Sequence, residues 1–319
     1  MKIKILLASA CMLLASTTYV DAKKPEKNYL PEAGDVTIGV NAVPFLNYLG
    51  NMFGKVDDNK INPKKIGGVP AVPGLDNPTM SIFGKYFLTD QTALRLNVGI
   101  GINSITQSQY VTDDAAAVND PLSQDVVEDT YKYRNSGMSV AVGYEWRRGS
   151  KRLQGYWGGQ AILAYSNSKH FFGYGNAITE VNQIPTAFAD GDRDGTYDYS
   201  GWDDPDNLPD GISLPTVSTS DNVGGNSRLL MQSDGRSWTY GLGGFVGVEY
   251  YIAPKISIGC EMSLNLLWTT GGKKYQKSER FNPDFNKVEE NIRWTGKSDS
   301  GFRFGTENIG TSLFVAFSF

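Results

Sequence analysis

Thr311-Ser312-Leu313-Phe314-Val315-Ala316-Phe317-Ser318-Phe319 decides how the rest of the chain is read. Leu313, Val315, Phe317 and Phe319 fall on one face of an extended strand. Ser312, Ala316 and Ser318 fall on the other, and Phe314 is the one apolar residue out of phase. Side chains alternate across a strand, so the segment presents one continuous apolar face. At the edge of a soluble sheet such a face, ending on a bare aromatic, is a liability. In a strand that closes a membrane barrel, one face meets lipid and the other a polar lumen, and the alternation is required. Taken alone, the segment also suits a soluble β-sandwich.

The strands upstream narrow this choice. Trp238, Tyr240, Leu242, Gly244, Val246, Val248, Tyr250 and Ile252 alternate with Thr239, Gly241, Gly243, Phe245, Gly247 and Glu249. After the turn Ala253-Pro254-Lys255, Ile256, Ile258, Cys260, Met262, Leu264, Leu266 and Trp268 alternate with Ser257, Gly259, Glu261, Ser263 and Asn265. The same period of two marks Asp35 to Val43, Thr79 to Leu88, Thr92 to Ile105, Tyr131 to Trp146 and Leu153 to Ser168. With the terminal strand, which starts near Gly301, this makes eight. The short connections are Thr89–Gln91, Arg147–Arg152 and Ala253–Lys255. The long ones are Lys55 to Pro78, Thr106 to Thr130, Phe171 to Gly235 and Thr269 to Ser300. Strict alternation of long and short connections predicts an all-β fold: an eight-stranded antiparallel transmembrane β-barrel with four long extracellular loops and short periplasmic turns. Tyr144, Trp146, Trp238, Tyr240, Tyr250 and Trp268 stand near strand ends, where interfacial aromatics belong.

Composition agrees with this expectation. The chain of 319 residues has 36 Gly, 17 Tyr, 15 Phe and a single His. Its mean hydropathy of −0.32 does not exclude a membrane protein, because alternating strands hide their apolar half from an average. Lys2 and Lys4, the apolar run Ile5 to Ala15 and the small-residue site Val20-Asp21-Ala22 predict a secretory signal over 1–22. Cleavage there removes Lys2, Lys4 and Asp21 and takes the net charge from −4 to −5. Nothing in that balance indicates a nucleic-acid partner. Cys11 leaves with the signal and Cys260 is left alone, so no internal disulfide is expected. Residues 23–34, polar with Pro25 and Pro31, read as a periplasmic lead-in to a barrel spanning 35–319.

A terminal Phe preceded by alternating apolar residues resembles the signature of bacterial outer-membrane barrels, in which that segment is read by the insertion machinery. Pro44 to Phe53 looks like a segment that recurs after the first strand in small barrels of Bacteroidota. The resemblance covers nearly the whole chain after the signal. It implies an outer-membrane location and contact with outer-membrane lipid, and it implies no activity.

Three groups of residues are candidates for function. Lys85, Arg95, Glu145, Glu249 and Glu261 fall on the polar face of their strands. An eight-stranded barrel has room inside for side chains and little else, so they are expected to pair as a plug; a narrow ion path along the same residues is the alternative. Asp190-Gly191-Asp192-Arg193-Asp194-Gly195-Thr196-Tyr197-Asp198 resembles the first half of an EF-hand calcium loop, with oxygens at alternate positions and Gly sixth. Asp190, Asp192, Asp194 and Asp198 are the candidate ligands. Gly201 stands where the loop's usual last acid would be, so Asp203 or Asp204 would have to substitute. No cofactor is required by the sequence, and calcium is the one ion it points to. Tyr197, Tyr199 and Trp202, in the longest connection, are candidates for recognition of a sugar or protein at the surface. Packing of the loops against each other is the equal alternative.

Ser168 and His170 share a strand face, the minimum for a hydroxyl activated by a base, but no third orienting acid stands at a recognisable spacing. The expected function is therefore non-enzymatic: a barrel that presents external loops to a surface ligand or protein partner, or serves as a subunit of an envelope complex. A small pore and a lipid A acyl-modifying enzyme are the other two classes.

Overall fold

The computed structural model describes residues 28–41, 81–190, 193–202, 226–304 and 310–319. The expected signal (1–22), the Pro44–Phe53 segment, the 55–78 loop, Asp192, Asp203 and Asp204 lie outside the described residues. The strands are β1 (Val36–Asn41), β2 (Ser81–Thr89), β3 (Thr92–Thr112), β4 (Val126–Ser150), β5 (Leu153–Gly173), β6 (Arg228–Ala253), β7 (Ile256–Gly271), β8 (Lys273–Asn282), β9 (Lys287–Lys297), β10 (Gly301–Phe304) and β11 (Gly310–Ser318). One short helix, α1 (Asp114–Asn119), lies between β3 and β4; the Asp113 side chain caps it by accepting from the Ala115 and Ala116 amides.

Eight of these strands close a ring. β1 to β7 pair in sequence, each antiparallel to the next, and β11 lies between β7 and β1. The seam pairs Ile38 with Phe317 and Val40 with Val315 on one side, and Ile258 with Val315 on the other. Closure leaves no backbone edge exposed at the level of the ring.

The alternation is inverted relative to a soluble protein. Ile100 and Leu242 are each 59% exposed, whereas Arg95 is 5% and Glu145 0% exposed. An apolar belt on this scale belongs in lipid. Aromatic pairs bound it: Tyr144–Trp146 (centroids 4.7 Å apart) near the short turns, and Tyr165–Trp238 (4.9 Å) and Trp268–Phe302 (5.3 Å) near the long connections. Trp146 pairs with Trp157 and Met138 with Tyr165, eight residues further along. At about 3.3 Å per residue and a tilt of about 40°, that separates the two aromatic levels by about 20 Å.

The short turns are tight, and two of them place a residue in the left-handed region, Lys151 (φ 55°) and Lys255 (φ 58°). The long-connection end differs from expectation. Thr106 to Thr130, expected as loop, is about half strand: β3 and β4 stay paired out to Thr112–Val126, and α1 lies in between. Thr269 to Ser300, also expected as loop, folds into the β8–β9 hairpin, and β8 pairs with the upper part of β6. The terminal strand is described in two stretches, β10 and β11, both on the same edge of β7. Above the belt neither face needs to be apolar, so the period of two disappears while the backbone pairing continues.

Candidate functional site

The lumen brings together the five charged residues that strand parity turns inward, and adds a sixth. Lys85 Nζ lies 3.1 Å from Glu145 and 3.3 Å from Glu249. Arg95 Nη1 lies 2.7 Å from Glu261 and 3.5 Å from Glu145. Arg147, assigned by sequence to the basic turn, instead points inward, 3.4 Å from Glu145 and hydrogen-bonded to Glu249 and to the Tyr251 hydroxyl (2.9 Å). Three cations face three carboxylates, so the buried set is neutral, and each charge has an opposite neighbour. The signal for Arg147 was present: it stands two residues after Glu145, on the same strand face.

Aromatic rings complete the filling. The Tyr156 hydroxyl donates to Glu261 (3.0 Å), Lys85 Nζ sits 4.4 Å from the Tyr156 ring, and the Arg95 guanidinium lies 4.1 Å from the Phe245 ring. Such contacts are strongest where water is excluded. Phe83 and Phe314 meet edge to face at 5.0 Å. The inward glycines make this possible. A Cβ on Gly39 would stand 2.0 Å from the Phe83 ring, and one on Gly247 would stand 2.4 Å from Tyr156. Above the charges come the buried amides Asn97, Gln160 and Asn265, then Ala141, Ile162 and Leu267.

Beyond the belt, the long-connection end holds a second core. Tyr131, Tyr133, Phe172, Ala187, Ala189, Tyr197, Tyr199, Trp202 and Leu229 are buried together, with Tyr174 and Phe188 against them. The expectation that Tyr197, Tyr199 and Trp202 form a recognition surface is corrected here: all three are 5% exposed or less. The Tyr199 hydroxyl accepts from the Leu229 amide (2.8 Å), and burial pushes its pKa up to about 12. Two buried carboxylates tie the 174–190 segment to β3–α1–β4. Asp129 accepts from the amides of Gly175 (2.8 Å) and Phe188 (2.8 Å). Asp114 accepts from Thr186 Oγ1 (2.7 Å), the Thr186 amide (2.8 Å) and Asn182 Nδ2 (2.7 Å). Its burial opposes ionisation, but those hydrogen bonds and Arg193 outweigh it and hold the pKa below the usual carboxylate value. Sequence reading missed both acids, whose partners lie 46 to 72 residues away.

The acidic loop turns sharply at Arg193 (φ 58°) and Gly195 (φ 81°). The buried Asp190 carboxylate accepts from the amides of Asp194 (3.1 Å) and Gly195 (3.0 Å). Asp194 and Asp198 are exposed. Among the described residues no three His, Cys, Asp or Glu side chains stand close enough to hold a metal.

Between the two cores, at the mouth of the ring, lies a cavity of about 360 Å³ lined by Ser166, Ser168, Asp234, Ser237, Thr269 and Lys274 among others. Its far wall is fixed: the Ser298 amide donates to Gly272 O (2.8 Å), the Gly271 amide to Ser300 Oγ (2.9 Å), and Gly235 makes the left-handed turn beneath (φ 85°). His170 is fully buried. Its Nδ1 meets the Tyr131 hydroxyl (2.7 Å) and its Nε2 meets Asp234 Oδ2 (3.0 Å). Both ring nitrogens are therefore engaged, and neither is available to activate Ser168, two residues and about 6.6 Å of strand away. Burial works against the Asp234 carboxylate's charge, yet hydrogen bonds from His170 and Gln232, with the nearby Lys274, leave its pKa lowered.

Residues 76–265 match the model of the OmpA-OmpF-like porin family. The outer membrane protein OprG of Pseudomonas aeruginosa is 10% identical over 92% of this chain and 99% of its own, with a TM-score of 0.28. A major outer membrane protein of Thermus thermophilus is 9% identical over 89% and 98%, with a TM-score of 0.30. No curated protein matches the chain.

Proposed function

The chain belongs to the OmpA-OmpF-like porin family and resides in the outer membrane; from that premise we propose that it is a closed, non-enzymatic barrel that displays its long-connection end outside the cell to bind a ligand or partner. The observation that carries this reading is the neutral six-charge network across the lumen, packed with Tyr156, Phe245 and Phe314. An ion crossing the ring would have to displace these pairs or enter among them without hydration, and either is costly. Meanwhile β3 to β6, at 21 to 26 residues, are far longer than the 9–11 residues needed to cross. That extra length builds the external core and the mouth cavity, which would hold the ligand. A pore is the reading the family name favours. Single-channel recording in planar bilayers separates the two: no stable open steps are expected from the purified protein, and reproducible steps of defined size would establish the pore instead.

Calcium binding by Asp190, Asp192, Asp194 and Asp198 is a separable part of the proposal. It is supported by the preformed turn, with positive φ at Arg193 and Gly195 and Asp190 fastened to the loop amides. Calorimetric titration is expected to show heat at millimolar calcium that disappears in Asp194→Asn. A flat titration would remove calcium and leave the closed, displaying barrel untouched.

A further inference from the structure

We propose that the outer face of β4, β5 and β6, just above the upper aromatic level, is a binding site for the phosphorylated headgroup of outer-leaflet glycolipid. Lys132 and Arg134 on β4 follow Met138 at two-residue steps on the belt side of the strand, and Arg236 precedes Trp238 on β6 in the same way. Lys132, Arg134 and Arg236 are exposed and Lys169 is half-buried. Register places Arg134 directly opposite Lys169, and Asn167, the outward residue before Lys169, opposite Arg236. Four cations thus gather on one patch of three neighbouring strands.

Like charges directly opposite each other across a strand pair are destabilising without a counter-ion. Among the described residues none of the four cations forms an ion pair. The nearest acid in β6, Asp234, is turned inward onto His170. On the outer face of β4 the next acid is Glu128, four residues beyond Lys132 and exposed. The patch therefore calls for an anion from outside the chain.

Its height says which anion. Arg236 lies two residues above Trp238, and Arg134 and Lys169 lie four above Met138 and Tyr165. At about 3.3 Å per residue and a tilt of about 40°, they stand about 5 to 10 Å above the aromatic ring. That is the headgroup zone, which adds roughly 5 to 8 Å to each side of the hydrocarbon core. Guanidinium and ammonium groups there pair with phosphate oxygens, while the apolar belt below takes the acyl chains. Placing that zone in the outer leaflet rests on the orientation proposed above. The conductance question does not bear on it.

The test is native mass spectrometry of the full-length protein in mild detergent, titrated with bis-phosphorylated lipid A, dephosphorylated lipid A, phosphatidylglycerol and inorganic phosphate. Wild type is expected to retain lipid A. The variant Arg134→Gln/Lys169→Gln/Arg236→Gln is expected to bind it on the order of a hundredfold more weakly. Arg148→Gln/Lys151→Gln/Arg152→Gln, with equal charge removed at the short turns, is expected to bind as wild type does. Dephosphorylated lipid A is expected to bind as weakly to wild type as lipid A does to the triple variant. Should the triple variant fail to fold, the exposed single change Arg134→Gln is expected to weaken retention about fivefold. Undiminished retention by the variants, or equal affinity for dephosphorylated lipid A, would overturn the site. Phosphatidylglycerol binding as well as lipid A would overturn the outer-leaflet assignment alone, whatever the barrel conducts. Displacement of lipid A by equimolar inorganic phosphate would overturn the lipid as the ligand.

Discussion

Glu145→Gln is expected to cost about 3–5 kcal/mol of folding stability, the loss that follows when one partner of a buried ion network is removed. Glu145 is fully buried and is the one carboxylate near all three lumen cations, within 3.1 to 3.5 Å of Lys85, Arg95 and Arg147. Gln keeps the volume and removes only the charge. The set then carries three cations against Glu249 and Glu261, and the surplus positive charge has no route to water. Urea unfolding of the barrel in lipid vesicles, followed by tryptophan fluorescence, measures the loss. The double change Glu145→Gln/Lys85→Met restores neutrality and is expected to recover most of it, because balanced apolar replacement of a buried pair is often close to neutral. A single-variant loss below about 1 kcal/mol would mean that the lumen is hydrated and the charges screened. That result would also weaken the argument for a closed barrel.

Trp202→Ala is expected to loosen the outer module by about 3–5 kcal/mol while leaving the ring intact. Its indole is 3% exposed and packs at 4.6 Å from the Phe188 ring and 5.7 Å from Tyr131. It is the largest side chain in that core. The module shares β3 to β6 with the ring, but its filling is its own, so it can open locally. Hydrogen exchange is the measurement: amides of 174–190, and the Leu229 amide held by Tyr199, should lose protection. Amides of β7 between Ile256 and Trp268 should not. Equal loss in both regions would show that the two cores unfold as one. No loss in either would show that the aromatic cluster contributes little.

These two sites differ in how far the sequence announced them. Lys85, Arg95, Glu145, Glu249 and Glu261 were legible because parity alone assigns the inward face of a strand whose other face is apolar. Parity could not say which cation meets which carboxylate, since Lys85 and Glu249 are 164 residues apart and share a level only through the stagger of the ring. Arg147 was lost by proximity to a basic turn. The outer module was much less legible. Polar alternation such as Lys274 to Glu279 carries no hydrophobic contrast, so β8 read as loop. Tyr197, Tyr199 and Trp202 read as surface because their connection is rich in Asp, Gly and Pro. Only the closing of β4, β5 and β6 around them, with Asp129 and Asp114 fastening 174–190, makes that stretch an interior.

The terminal strand holds both halves of this lesson. The sequence by itself determined the ring, because lipid on one side and a confined lumen on the other enforce a period of two at every crossing. Phe314 looked like a flaw in that period. In the structure its ring points inward, against Phe83 and into the space left by Gly259, where a Cβ would stand 2.4 Å away. Whether an inward aromatic is a fault or a filler depends on the inward residue it meets, here one on β2, two strands along the ring. That residue, like the partner of each buried charge and the wall behind each loop aromatic, is set by strand stagger and closure, which only the tertiary structure decides.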